Sequence, residues 1–385
     1  MNCLRRWKIL WVKICAVLAA CLLFLLPCAA EDVNIDKEFS DMMDAVPDDV
    51  ARLLPNGFFE GVDGAADGLD EVLKPSFWKE IFGGLFADGA AEILPVLLSL
   101  FAVLLVSSLL SVFKDVLRSE ALSGAVSLAV SVVMISMFVK LASEHIDLAL
   151  DYIDKLSKLC LAMLPVMGTL LAMGGSGGAA VATHGGFLMI LGVVEAVVGE
   201  AFGGIVGISL AMSAANVFSG RFRLAAVARA IRRCFGIFFG IVTSLIGFLL
   251  SIKIGIASAA DSVAMRGAKM FASNAIPMVG SVIGDSFKTL ATALAYIKSV
   301  SGVVAIILII LLVLPVFLNI WLFRSGLVLL SGAAEMLGCD RERELISGVV
   351  SVYGYILAVV AIVTVVFLLM LTLFTKSTLA FGGGI

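Results

Sequence analysis

"LCLAMLPVMGTLLAMGGSGGAAVATHGG", Leu159–Gly186, decides how many times this chain crosses a membrane. Its apolar part runs to about fifteen residues, is interrupted by Pro165 and ends in the glycine cluster Gly174–Gly178. A helix advances about 1.5 Å per residue and the hydrocarbon layer is about 30 Å thick, so an easy crossing needs about 20 apolar residues. The stretch is too short for that. It suits a re-entrant or broken helix, shielded from acyl chains by protein or water.

The surroundings make a membrane the right solvent to reason with. Of the 385 residues, 61% are hydrophobic and 15% charged, with mean hydropathy +1.12, which excludes an ordinary soluble domain. Nearly charge-free runs appear at Ala91–Phe113, Ala121–Ala142, Phe187–Met212, Cys234–Ala259, Ser301–Phe323 and Ser347–Phe374. Lys and Arg concentrate in loops on the cytoplasmic side of membrane proteins. Lys114 and Arg118 place the first loop there. If Leu159–Gly186 were a full crossing, the densest basic cluster, Arg221, Arg223, Arg229, Arg232 and Arg233, would fall outside. Treated as re-entrant, it puts those arginines inside with Arg324, Arg341 and Arg343. The expected fold is therefore all-α and polytopic: about six transmembrane helices, one re-entrant or broken segment, and amphipathic interfacial helices.

Three regions follow along the chain. Residues 1–30 have basic Arg5, Arg6, Lys8 and Lys13, a short apolar core and small residues at Cys28–Ala30, the pattern of a cleaved signal peptide. Residues 31–90 form an exported acidic segment. Between Glu31 and Asp88 it holds fifteen acidic residues against four basic ones, and it is rich in Pro and Gly, which suits amphipathic helical pieces such as "SFWKEIFGGLF" and not an independent core. Residues 91–385 form the helical transmembrane domain. Cys160, Cys234 and Cys339 lie beyond the signal with no disulfide or metal-ligand spacing.

Small residues four apart let helix backbones approach closely in lipid. Gly199, Gly203 and Gly207 make such a row, and Gly236 and Gly240 repeat it on the next span. Glu195 projects near the Gly199 stripe, so it is expected against a neighbouring helix and not lipid. A carboxylate there is either a pore or transport-path residue or a hydrogen-bonded packing contact.

A second break-rich stretch is "DSVAMRGAKMFASNAIPMVGSVIGDSF", Asp261–Phe287. Ser262, Arg266, Lys269 and Ser273 form one narrow polar stripe, with Val263, Met265, Met270 and Phe271 around the rest. Asn274 leads to Ile276–Pro277, where the helix should stop because proline disfavours helical geometry in its predecessor. Gly280 and Gly284 follow, and Asp285 is positioned to cap the helix that resumes. The stripe either lies in the membrane interface or lines a water-filled cavity.

No Walker loop, HExxH or dinucleotide fingerprint occurs. "GGSG" at Gly174–Gly177 is similar to the serine motif of rhomboid intramembrane proteases, with His145 and His184 as the available bases. Rhomboids draw that histidine from a later span, and none occurs after His184. An enzyme is not expected, and no cofactor or metal is expected either.

Two stretches resemble the stage III sporulation protein AE family. In the first, Leu161–Gly186, a Leu-Pro helix is followed by a glycine-rich segment ending near a histidine. In the second, Asp261, Arg266, Lys269, Asn274, Ile276, Pro277, Gly280, Asp285, Lys298 and Gly302 stand at places matching the family pattern, while Ser262 and Gly267 depart from it. The resemblance implies a role in endospore formation, in the mother-cell membrane around the forespore. It implies membership of a multi-protein channel or secretion-like complex. The partners implied are other membrane proteins of the same sporulation operon, a forespore channel protein across the intermembrane space and the lipid bilayer, with no nucleic acid. A stand-alone small-solute permease is the alternative, with Glu195 and the polar stripe on its path.

Overall fold

The computed structural model describes residues 35–55, 57–59, 61–117, 120–218, 224–275 and 280–377. Among these there is no strand. Three short helices open the chain: α1 (Ile35–Asp44), α2 (Asp48–Ala51) and α3 (Gly61–Val72). Long helices follow: α4 (Pro75–Leu117), α5 (Glu120–Met173), α6 (Gly177–Val194), α7 (Glu200–Phe218), α8 (Leu224–Ala275), α9 (Gly280–Met336) and α10 (Asp340–Lys376). A π-helical turn, Glu195–Gly199, joins α6 to α7 without a break.

Among the described residues six helical runs are long and apolar enough to cross a membrane, and each overlaps one of the six spans expected from sequence. The expected signal peptide lies outside the described residues. The piece "SFWKEIFGGLF" is the first part of α4, continuous with the first span.

The segment Leu159–Gly186 is broken, but at a different place from the proline. Pro165 sits inside α5, between Leu164, Val166 and Met167, all buried. Pro165 itself is exposed, and burial of the residues beside it keeps the helix going past the lost backbone hydrogen bond. The break comes at Gly175, whose φ of +77° is the left-handed conformation that glycine adopts freely. There the amide of Ser176 donates to Leu171 O (2.8 Å) and that of Gly175 to Ala172 O (3.0 Å). This paired closure satisfies the last carbonyls of α5 and turns the chain into α6. Gly338, φ +71°, closes α9 by the same pair of bonds before α10.

At about 1.5 Å per residue, the 54 residues of α5 measure about 81 Å and the 52 of α8 about 78 Å. Both exceed a bilayer, so they carry their polar ends well beyond it. The centre of the bundle is the pair α9–α10, where Val304, Leu308, Leu311, Val352, Ile356, Val360 and Phe367 are buried. On the outside, α8 presents Ile241, Leu245, Phe248, Ile252, Ile256 and Val263 along one exposed apolar stripe, a surface suited to lipid.

The acidic segment does not form its own core, but it does pack. Phe39, Met42, Phe58, Ala65 and Val72 are buried, and α1 and α3 lie against α5 and α9. Asp49 pairs with Lys155 at 3.1 Å, and the Thr169 hydroxyl donates to Glu38 Oε2 at 2.7 Å.

Candidate functional site

The second family-like stretch does not begin a separate interfacial helix. It continues α8 in one unbroken helix to Ala275, because nothing before Ile276 removes a backbone donor. The described helix ends at Ala275, and the Ile276–Pro277 pair lies outside the described residues. This continuity carries Asp261 to the start of α6, where Asp261 Oδ2 accepts a hydrogen bond from the amide of Ala179 at 2.9 Å. Ala179 is the third residue after the N-cap Ser176, so its amide is one of those a helix leaves without an internal partner. A carboxylate at that end also meets the positive pole of the helix dipole. The approach depends on Gly178: a Cβ there would stand 2.8 Å from Asp261 Oδ1. Thus the glycine cluster and the aspartate, which resemble the same family in two separate stretches, meet at one helix end.

The opposite sign appears at the end of α10. Lys298, 4% exposed, donates from Nζ to the backbone oxygen of Ser377, the C-cap residue, and to its Oγ at 2.9 Å. The ammonium also lies 5.3 Å from the centre of the Phe374 ring, within cation–π range. A cation at a helix C-terminus complements the negative pole. One turn further, Gly302 faces Thr375 so closely that a Cβ would collide with its methyl group. Asp261 and Lys298 therefore each cap a helix other than their own.

A polar seam crosses the bundle nearer the other end. His145 Nε2 lies 3.2 Å from Asn319 Oδ1, and Asn319 Nδ2 donates to Glu92 Oε2 at 3.2 Å. The Tyr353 hydroxyl lies 3.1 Å from His145 Nδ1, and the imidazole stacks on Phe323 with ring centres 5.0 Å apart. Four helices, α4, α5, α9 and α10, meet in this cluster. Tyr152 and Thr364 form a second buried pair at 2.6 Å, and Ser107 donates to the buried Glu342 at 2.7 Å. Sequence reasoning passed over Glu92, Asn319, Tyr353 and Glu342. The available signal was a single polar residue inside an apolar run, such as Asn319 in "VFLNIW".

Several expectations change. Asp285 does not cap α9: the helix already begins at Gly280, so Asp285 stands inside it. Glu195 is exposed on the surface of the chain and not turned to a neighbouring helix. It opens the π turn, whose extra residue breaks the 100° phase on which the projection onto Gly199 rested. Cβ atoms built at Gly199, Gly207, Gly236 and Gly240 would meet nothing within 4 Å, and at Gly203 only Ile146 at 3.8 Å, so among the described residues no backbone lies against these rows. Arg266 is exposed and Ser262 half-buried. Lys269 and Asn274 lie on α8 and Gly280 opens α9, while Pro277 and the side chains of Lys269, Asn274 and Asp285 lie outside what is described.

The serine–histidine pairing is not assembled. Ser176 is the N-cap of α6 and His184 lies eight residues along the same helix, about 12 Å at helical rise. His145 is held in the seam, on α5. Among the described residues, no group of three or more His, Cys, Asp or Glu side chains is placed to hold a metal ion.

Comparison with known proteins locates the chain. The profile of the family described as Stage III sporulation protein AE matches residues 62–378. Stage III sporulation protein AE of Bacillus subtilis (strain 168) is 23% identical over 315 residues, covering 79% of this chain and 76% of that protein. No solved structure matches. With a match that takes in everything from α3 to the cap of α10, including both trans-capped helix ends, this chain belongs to the stage III sporulation protein AE family.

Proposed function

We propose that this membrane protein serves sporulation as one component of a multi-protein channel or secretion-like complex, seated in the mother-cell membrane around the forespore. Its role is assembly and not catalysis. The family supports the sporulation role. The observation that carries the assembly role is Glu195, exposed inside the apolar run Gly177–Asn216 beside glycines with open space around them. A carboxylate facing acyl chains costs about 2.5–3.5 kcal/mol on insertion scales, so this face calls for cover by another protein or by water. Small residues next to it are what a close helix–helix approach in a membrane uses. The partners are other membrane proteins of the same operon, with a forespore channel protein meeting the complex across the intermembrane space through the end where α1–α3 and the two trans caps gather.

The test is purification of the full chain from sporulating cells, with and without Glu195→Leu. Co-purification of the operon's membrane proteins, reduced by that substitution, supports the assembly role. Solute uptake by vesicles holding this chain alone overturns it in favour of a permease.

A further inference from the structure

The arginine-rich end of the bundle holds donors that the chain leaves unfilled. Arg232 lies on α8, 6% exposed, where α8 packs against α10. Its Nη2 donates to Ser351 Oγ at 2.8 Å, but its buried Nη1 has no hydrogen-bond partner among the described residues. The buried hydroxyl of Tyr355, one turn beyond Ser351 on α10 and within electrostatic reach of Arg232, is also unpartnered. No carboxylate pairs with Arg229, Arg232 or Arg233 among the described residues. Glu344 on α10 accepts a hydrogen bond from Asn216 Nδ2 at 2.5 Å.

A guanidinium is a planar fork of donors suited to oxyanions, and burying one without a counter-charge is unfavourable. Two further exposed arginines, Arg229 and Arg233, flank it on α8. On the same helix Val227, Ile231 and Phe238 are exposed apolar side chains, continuous with the lipid-facing stripe. Positive charge, orphaned donors and an acyl-chain surface thus adjoin at one edge of the bundle.

We infer that Arg232, with Arg229 and Arg233, forms a site for a phosphate-bearing anion, with Tyr355 as a further donor. The apolar flank points to a phospholipid headgroup as its source, and basic pockets between membrane helices bind anionic headgroups in this way. The site stands apart from the two trans caps and does not depend on the assembly role.

The experiment uses the full chain in neutral detergent, offered vesicles of phosphatidylglycerol or of phosphatidylcholine, and inorganic phosphate in a separate arm. The readout is lipid phosphorus retained per protein. Phosphatidylglycerol is expected to be retained in preference, by about five-fold less for each arginine removed in R232Q and in the exposed pair R229Q/R233Q. The pair K140Q/K158Q removes as many exposed charges from α5 and should change nothing. R232K, which keeps the charge but not the fork, should recover only part of the preference. If R232Q does not fold, R229Q/R233Q decides. Inorganic phosphate that displaces the lipid, and is itself retained through Arg232, supports the site with free phosphate as occupant. Equal retention of the two lipids by the unaltered chain, or equal losses in the arginine and lysine pairs, overturns the site.

Discussion

Asp261 on α8 holds the amide of Ala179 at the start of α6, across 82 residues of sequence and over a glycine with no room for a side chain. A family-matching aspartate is thereby a helix cap supplied from another helix. Removing it should loosen the turn at Gly175 and the α6–α8 contact together. Asp261→Ala is expected to lower stability by about 0.5–2 kcal/mol, and Asp261→Asn by less because an acceptor remains. Thermal unfolding in a single detergent reads the difference; equal losses in Ala and Asn would show that the charge and not the acceptor matters there, and no loss in either would overturn the cap.

The glycines of the first family-like stretch should separate by sign. Gly178→Ala drives a methyl group against the Asp261 carboxylate and should destabilise. Gly185 stands inside α6 with nothing within 4 Å of a Cβ, so Gly185→Ala should be neutral or stabilise by up to about 1 kcal/mol through helix propensity. The pair, measured side by side, distinguishes a close-approach glycine from a merely flexible run.

Lys298 anchors the last turn of α10. Lys298→Met retains most of the stem but leaves the Ser377 carbonyl without its donor and Phe374 without its cation. The expected loss is about 1.5–3 kcal/mol, the range for a hydrogen bond to a charged group. Proteolysis should then reach the C-terminal end of α10 sooner than in the unaltered chain. Unchanged cleavage there would count against the cap.

His145 and Tyr353 should behave as one unit. A double-mutant cycle with His145→Phe and Tyr353→Phe is expected to give a coupling of about 0.5–3 kcal/mol, since each loses a partner that the other supplies. Additive losses would mean that the 3.1 Å contact contributes nothing of its own.

The open glycine face makes a different kind of prediction. Gly199→Ile and Gly207→Ile add side chains into empty space, so unfolding of the isolated chain should not move by more than about 0.5 kcal/mol. Co-purification with partner membrane proteins should fall sharply. A stability loss in the isolated chain would instead place a backbone of this same chain against that face.

The residues differ in how far they could be read in advance. The unbroken run of α8 to Ala275 was legible because no residue in Leu224–Ala275 is a proline, a property local to the string. Asp285 was misplaced because a cap depends on where a helix starts, and α9 is already helical from Gly280. Glu195 was misplaced because one π turn shifts the phase of everything beyond it. Asn319, Glu92 and Tyr353 stood alone in apolar runs, each visible as an oddity but not as members of one cluster.

By itself the sequence determined the helical class, the six apolar runs and the family, since hydrophobic length and spaced identities are properties of the string. Only the tertiary structure decided that Asp261 belongs with Ala179, Lys298 with Ser377 and Arg232 with Ser351. Those pairings join residues 79 to 119 positions apart, and partner choice at that distance follows from how rigid helices longer than a bilayer is thick stack against one another.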